Sequence, residues 1–301
     1  MDISKYAVRT ESYERLSTFQ ISQFFKRHEP ITRDDCDHLA VYILSSRVSP
    51  TPVQGATSYT VAAAASPKVV QFRSSKLDME RIEFARQSYR GFIPGCKFYG
   101  MIGDVHVYVW DLVPGPAFCQ VRRQLLSLDV RMEQRLHQTV LDFARFFASA
   151  WNNRPAVMQP PGLLNEYCGI VRQGLPLLFR PGYPMAVQHD DLLENNIHVD
   201  ESTGRITSIV DWADAIVAPF GVSLGGLETI LGVQTASSWH FHPSHVSLRQ
   251  HFWNAFYREI GDISGEDRHS IEIARLFGLF RTHDFEEGSK AAVYLEELCL
   301  L

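Results

Sequence analysis

The spacing of apolar residues changes several times along the chain, and each change marks an element. Residues 13–45 carry Phe24, Phe25, Ile31, Leu39, Val41 and Leu44 among polar positions, which predicts helix. From Pro50 the runs shorten. Segments 61–65 and 68–73 read as strands with a turn at Ser66-Pro67, and 77–89 returns to helical spacing through Leu77, Ile82, Phe84 and Ala85. Segments 96–101 and 105–109 are strand-like and joined by Gly103-Asp104, and Leu112-Val-Pro-Gly115 closes the β-rich part. Beyond it, 130–151 places Leu136, Val140, Phe143 and Phe147 three and four apart, the spacing of an amphipathic helix. A Pro-rich stretch, 154–184, reads as irregular. Short strands at 196–199 and 206–210 flank the turn Glu201-Ser-Thr-Gly204, and helices are expected at 246–260 and 271–280. The order predicts an α+β chain. It has an N-terminal helical extension (1–47), a small antiparallel β-sheet lobe (48–114) and a larger, mainly helical lobe (115–301).

Composition narrows the function. With 301 residues, 45% hydrophobic and 21% charged, the chain has enough apolar material for two lobes. Its formal net charge of −5 argues against nucleic acid as the main partner, since phosphate backbones need a basic face. From Trp212 onward there are 12 Asp and Glu against 6 Lys and Arg. That imbalance fits either a solvated acidic surface or a pocket for a cationic small molecule. Five scattered cysteines (Cys36, Cys96, Cys119, Cys168, Cys299) contain no CxxC pair, as expected of reduced thiols. The charged start MDISKYAVRTESYERL has no apolar core of a secretory signal, and no run reaches the roughly 18 apolar residues of a membrane span. A cytoplasmic protein with no membrane partner is expected.

Chemistry concentrates in one stretch, Val187-Gln-His-Asp-Asp-Leu-Leu-Glu-Asn-Asn-Ile-His-Val199, followed by Ile206-Thr-Ser-Ile-Val-Asp-Trp-Ala-Asp-Ala215. An apolar run ends at His189, Asp191 sits on a loop, Asn196 opens a strand, and a hairpin returns Asp211 beside that loop. Hard oxygen donors of this kind suit Mg²⁺, which keeps several waters and binds substrate phosphates. Asp191 is then free to take a proton from an attacking hydroxyl, and phosphoryl transfer needs that combination of parts.

H-x-D-x-x-x-x-N followed by a hairpin and D-W resembles the catalytic and metal motifs of aminoglycoside phosphotransferases and choline kinases, which share the protein-kinase-like fold. The wording N-I-H-V-D…T-G-R-I-T…D-W-A-D-A…P-F-G resembles fungal members of that group. The resemblance covers roughly residues 48–231. It implies a phosphotransferase moving the γ-phosphoryl of Mg-ATP to a hydroxyl of a small molecule, with Asp191 as catalytic base and His189 bracing its loop. It makes Asn196 and Asp211 the Mg²⁺ ligands. One departure is visible: the family usually has Gly between this His and Asp, where this chain has Asp190. The resemblance also implies a basic residue on the third strand paired with a helix glutamate. Arg73 is the candidate, Lys68 the runner-up, Glu80 the expected partner and Glu83 its alternative. The loop 54–59, with Gly55 and Ser58, would cover the phosphates, and backbone at 109–113, including Trp110 and Leu112, would meet adenine. The rival reading is a kinase-like fold that binds a ligand or partner without transferring phosphate.

Two further patterns carry less. Gly221-Val-Ser-Leu-Gly225 matches the nucleophile elbow of α/β-hydrolases, with Asp262 and His269 or His283 in the right order. Ala218-Pro-Phe precedes it, however, where that elbow needs a buried strand. His240, His242 and His245 form a patch without an accompanying cysteine or carboxylate, and nearby Trp239, Phe241, Phe252, Trp253 and Tyr257 suit either core or acceptor pocket.

Overall fold

The computed structural model describes residues 2–154, 169–235 and 238–282. Cys168, Cys299 and His283 lie outside that set, and of 169–173 only the backbone is described. The expected first helix is two: α1 (Thr10–Arg27) and α2 (Arg33–Leu44). The break falls where Thr32 caps α2. Its hydroxyl accepts from Asp35 N (3.2 Å), and the Asp35 carboxylate accepts from Thr32 N (2.9 Å).

Five strands follow: β1 (Ser49–Pro50), β2 (Ser58–Ala62), β3 (Lys68–Arg73), β4 (Cys96–Ile102) and β5 (Val105–Asp111), with α3 (Met79–Ser88) between β3 and β4. They form one antiparallel sheet ordered β1-β2-β3-β5-β4. Alternation assigns each residue a face. Tyr59, Val61, Val70, Phe72, Val105 and Val107 pack with Phe24 of α1 and Cys36 and Ala40 of α2. Those two helices therefore complete the core of the sheet. The opposite parity, Val69, Tyr108 and Trp110, joins the second and larger core together with Ile82, Ala85 and Tyr89.

The larger lobe begins with α4 (Phe118–Leu125) and α5 (Val130–Asn152). Residues Leu136, Val140, Phe143 and Phe147 of α5 are fully buried, as their spacing requires. α6 (Gly169–Leu178) occupies part of the stretch expected to be irregular, with Pro176 inside it. Then come β6 (Met185–Gln188), β7 (Ile197–Val199), β8 (Ile206–Ile209) and β9 (Ile216–Pro219), paired β6–β9 and β7–β8. α7 (Leu227–Leu231), the hairpin β10 (Gly232–Gln234) and β11 (Trp239–Phe241), α8 (His245–Ile260) and α9 (Gly265–Thr282) complete the described chain. Phe252 lies in the core against Phe143, Phe147 and Phe256. Trp239 packs with Leu279.

α1 touches both lobes. Just before it, Ile3 and Ala7 are buried in the larger core, the turn at 4–6 rests on α4, and Tyr6 stacks on His240 at 3.8 Å. Further along, Ser17 Oγ donates to Pro52 O (2.9 Å), and Phe24 enters the sheet's own core. No helix among the described residues is long and apolar enough to cross a membrane.

Candidate active site

Strand β6 buries Ala186 and Val187 and delivers His189 to the base of the loop that follows, where it is 3% exposed. The ring fixes the turn that follows. Nε2 bonds Val210 O (2.8 Å) and Nδ1 accepts from Asp191 N (3.2 Å), which assigns the neutral Nε2–H tautomer. Burial holds the imidazole below its ordinary pKa, in keeping with that tautomer.

Asp191 then faces the cleft. Asn196 Nδ2 donates to its main-chain O (2.7 Å) and to its Oδ2 (3.2 Å), closing the loop on itself. Burial lifts the Asp191 carboxyl above its usual value, and the neighbouring charge of Asp211 pushes the same way. A carboxyl raised in this manner is a better match to base catalysis near neutrality. The hairpin β7–β8 returns as expected, and Val210 N donates to Asn196 O (2.9 Å). Asp211 follows with φ 61°, a left-handed conformation uncommon outside glycine, which turns its chain sharply after the strand. Trp212 anchors this turn: it is 1% exposed, its Nε1 donates to Ile209 O (3.0 Å), and its ring lies edge-on to His189 at 4.8 Å.

From the other lobe, Arg73 reaches Asp211, with Nη1 to Oδ1 at 3.4 Å. Parity explains why Arg73 and not Lys68 does so. Arg73 shares the cleft face of β3 with Val69 and Gln71, whereas Lys68 points the other way and pairs with Asp111. Glu80, the expected helix partner of Arg73, is a correction: it is exposed on α3 and makes no ion pair among the described residues. The alternative, Glu83, pairs with Arg86 at 2.6 Å. The buried face of α3 is Ile82, Ala85 and Ser88, so both glutamates turn to solvent.

Ser58 stands directly opposite Arg73 in the β2–β3 register, so loop 54–58 ends at the arginine. That loop is held by side chains. Gln54 Nε2 donates to Thr60 O (2.8 Å), Gln54 N donates to Ser17 Oγ (3.1 Å), and Arg27 reaches Ala56 O. Gly55 lies over Ser58, where an added Cβ would come within 3.0 Å of Oγ. Of the expected adenine contacts, Trp110 is placed within the sheet, flanked by Val69 and Cys96, with its indole donating to Gln71 Oε1 (3.1 Å). The N–H groups of Asp111 and Leu112 are already bonded to Gly95 O and Pro67 O, both at 2.8 Å.

The sequence missed three supporting residues. Arg122, 5% exposed on α4, pairs with Glu194 in the middle of the loop that carries Asp191 and donates to Thr229 O (2.8 Å). Ser223, the serine of the elbow-like motif, donates to His189 O (2.9 Å), so it serves the same loop. Arg281, on the last turn of α9, pairs with Asp190 at 2.7 Å. These partners lie 72, 34 and 91 residues apart, beyond any local motif. Of the histidine patch, His240 stacks on Tyr6, His242 accepts from Ser244 N (3.2 Å), and His245 stacks on Phe241.

Among the described residues no three His, Cys, Asp or Glu side chains converge as a metal cage. The donors at hand are the Asn196 amide oxygen and the Asp211 carboxylate, the latter 42% exposed. One amide and one carboxylate fit a hard ion that fills its remaining positions with water and phosphate oxygens. Beside Asp191 a cavity of about 440 Å³ is lined by Asp190, Asp191, Leu193, Gln234, Arg281 and Thr282. Its polar lining suits a small hydroxylated molecule.

Comparison with known proteins agrees in location. The phosphotransferase enzyme family (APH) matches residues 114–235, the stretch that holds the loop and hairpin. No curated protein matches the chain. A choline/ethanolamine kinase family protein from Mesorhizobium loti aligns over 89% of this chain and 92% of its own, at 13% identity and a TM-score of 0.52. An ethanolamine kinase from Plasmodium vivax aligns over 97% and 94%, at 12% identity and a TM-score of 0.50. Neither relative bears on the expected fungal type. At these identities the likeness speaks for architecture, and it establishes that this chain has the bilobal protein-kinase-like fold.

Proposed function

We propose that the chain is a Mg-ATP-dependent phosphotransferase acting on a hydroxyl of a small molecule, with Asp191 as catalytic base. The observation that carries this reading is the meeting of Asp191, Asn196 and Asp211 at one cleft, with Arg73 arriving from the opposite lobe. Asp191 accepts the proton that the acceptor hydroxyl releases as its oxygen bonds to the γ-phosphorus, while the bond from that phosphorus to the β,γ-bridging oxygen breaks and ADP leaves. His189 and Asn196 hold Asp191 in place for that transfer. Arg73 neutralises phosphate charge, and loop 54–58 closes over it. Asn196 and Asp211 would hold Mg²⁺, which would supply neutralisation of phosphate charge. The lobe of residues 48–114 receives the nucleotide and residues 115–301 the acceptor. Gln234 and Thr282 orient the acceptor by hydrogen bonds, and the acidic side chains around it favour a molecule that bears an amine.

The test is Asp191→Asn. The side chains are isosteric and Asn196 keeps a partner, so nucleotide binding and melting temperature hold. Turnover falls by about 10²–10⁴, the usual contribution of a positioned base. Wild-type protein should gain thermal stability with Mg-ATP and add one phosphate to some member of a metabolite library. Undiminished turnover in the Asp191→Asn protein rejects the assigned base. Binding of Mg-ATP with no turnover on any acceptor favours the ligand-binding rival.

A further inference from the structure

Four carboxylates crowd the catalytic loop: Asp190, Asp191, Asp211 and Asp214. Among the described residues two of them have an arginine. Arg73 faces Asp211, and Arg281 faces Asp190 with Nη2 to Oδ2 at 2.7 Å. Among the described residues the Asp191 carboxylate takes its side-chain hydrogen bond from the Asn196 amide and has no arginine. Asp190 adds a negative charge one residue from the proposed base.

Arg281 is delivered to that charge by rigid packing. α9 lies against the turn at 222–226, so closely that a Cβ on Gly278 would sit 1.7 Å from Val222 O. Ser223 in that same turn bonds the His189 carbonyl (2.9 Å). The helix end, the turn and the loop thus form one connected unit, and both members of the pair are a little over a quarter exposed. Burial and the charges of Asp214 and Asp191 disfavour an ionised Asp190, and Arg281 opposes them.

We infer that Arg281 is a positioning residue: its ion pair with Asp190 pins the catalytic loop and masks the flanking charge, leaving Asp191 the carboxylate free to act. This rests on the phosphotransferase reading for its consequence in turnover, but the pinning itself is independent of that reading. An unpaired Asp190 would repel the other carboxylates and seek water, and the loop would shift to provide it. An unpaired Arg281 would instead turn toward Asp191 and occupy it.

The experiment is a double-mutant cycle with Arg281→Ala, Asp190→Asn and the two combined, plus Arg281→Lys as the conservative variant. Two readouts are taken: Mg-ATP hydrolysis with water as acceptor, and hydrogen exchange of the amides in residues 188–196. Each single variant should lower kcat roughly tenfold with little change in KM for Mg-ATP, and speed loop exchange by a similar factor. The combined variant should recover most of both losses, because no charge is left alone, and Arg281→Lys should retain more activity than Arg281→Ala. Losses that multiply in the combined variant, or an Arg281→Ala protein with unchanged loop exchange, overturn the inference. If wild-type protein neither binds nor hydrolyses Mg-ATP, the proposed function fails, and the exchange cycle still decides the role of Arg281.

Discussion

The two walls of the cleft are built on different scales. On the side of Asp191, His189, Asp191, Asn196 and the Val210 carbonyl bond one another across at most 21 positions. On the other side, Arg73 meets its partner across 138 positions, and its loop is held by α1. The wall that bears Asp191 takes its first order from local chain geometry and is braced from afar by Arg122, Ser223 and Arg281, whereas the wall that bears Arg73 depends on how the lobes dock. A substitution on one wall should therefore remove chemistry, while one on the other should weaken binding.

Among the effects on binding, that of Asp211→Ala is expected to be the largest. It removes a proposed metal ligand and the partner of Arg73 together, and Mg²⁺-dependent ATP affinity should drop about 100-fold, the upper end for lost metal contacts. Calorimetry with and without Mg²⁺ reads this, and persistence of the Mg²⁺-dependent component would put the metal elsewhere. Arg73→Ala comes next. It loses a cation near the phosphates, and affinity should fall about tenfold, as for a charged hydrogen bond. Lys68→Ala on the other sheet face should stay within about twofold, and equal losses from both would refute the assignment by strand parity.

The smallest effect is in pH. Native His189 sits below the ordinary value near 6.5, so between the two values the unfolded chain holds a proton that the folded chain lacks. Stability then rises with pH in that window, and it declines as pH drops beneath about 6.5, by up to about 1.4 kcal/mol per pH unit for one proton. Trp212 fluorescence during thermal melts at pH 7.5, 6.5 and 5.5 follows it at the adjacent ring. A midpoint that does not fall on acidification would mean that the buried imidazole is already charged.

The same contrast explains what was legible in the sequence. His189, Asp191, Asn196 and Asp211 lie on one loop and one hairpin, so spacing sufficed to bring them together. The long amphipathic α5 was equally plain. α6 was hidden because Pro176 and its Pro-rich surroundings read as irregular. β6 and β9 were hidden because, unlike β7 and β8, they are joined by no tight turn: they pair across the whole loop and hairpin between them. Glu80 was misplaced for a reason that helical phase contains: with Ile82 and Ala85 inward, a residue two positions before Ile82 faces out. Arg122 and Arg281 could not be found at all, since each finds its carboxylate only after distant helices have packed.

The first helix bridges the lobes. Its approach is seated against α4 and His240, its later turns against the sheet and the loop at Gln54, and an 18-residue helix is a rod of roughly 27 Å. Such a rod is a stay between the two halves: any change in their spacing has to move its seats at Ser17 and Phe24, or the stacked pair Tyr6 and His240 just ahead of it.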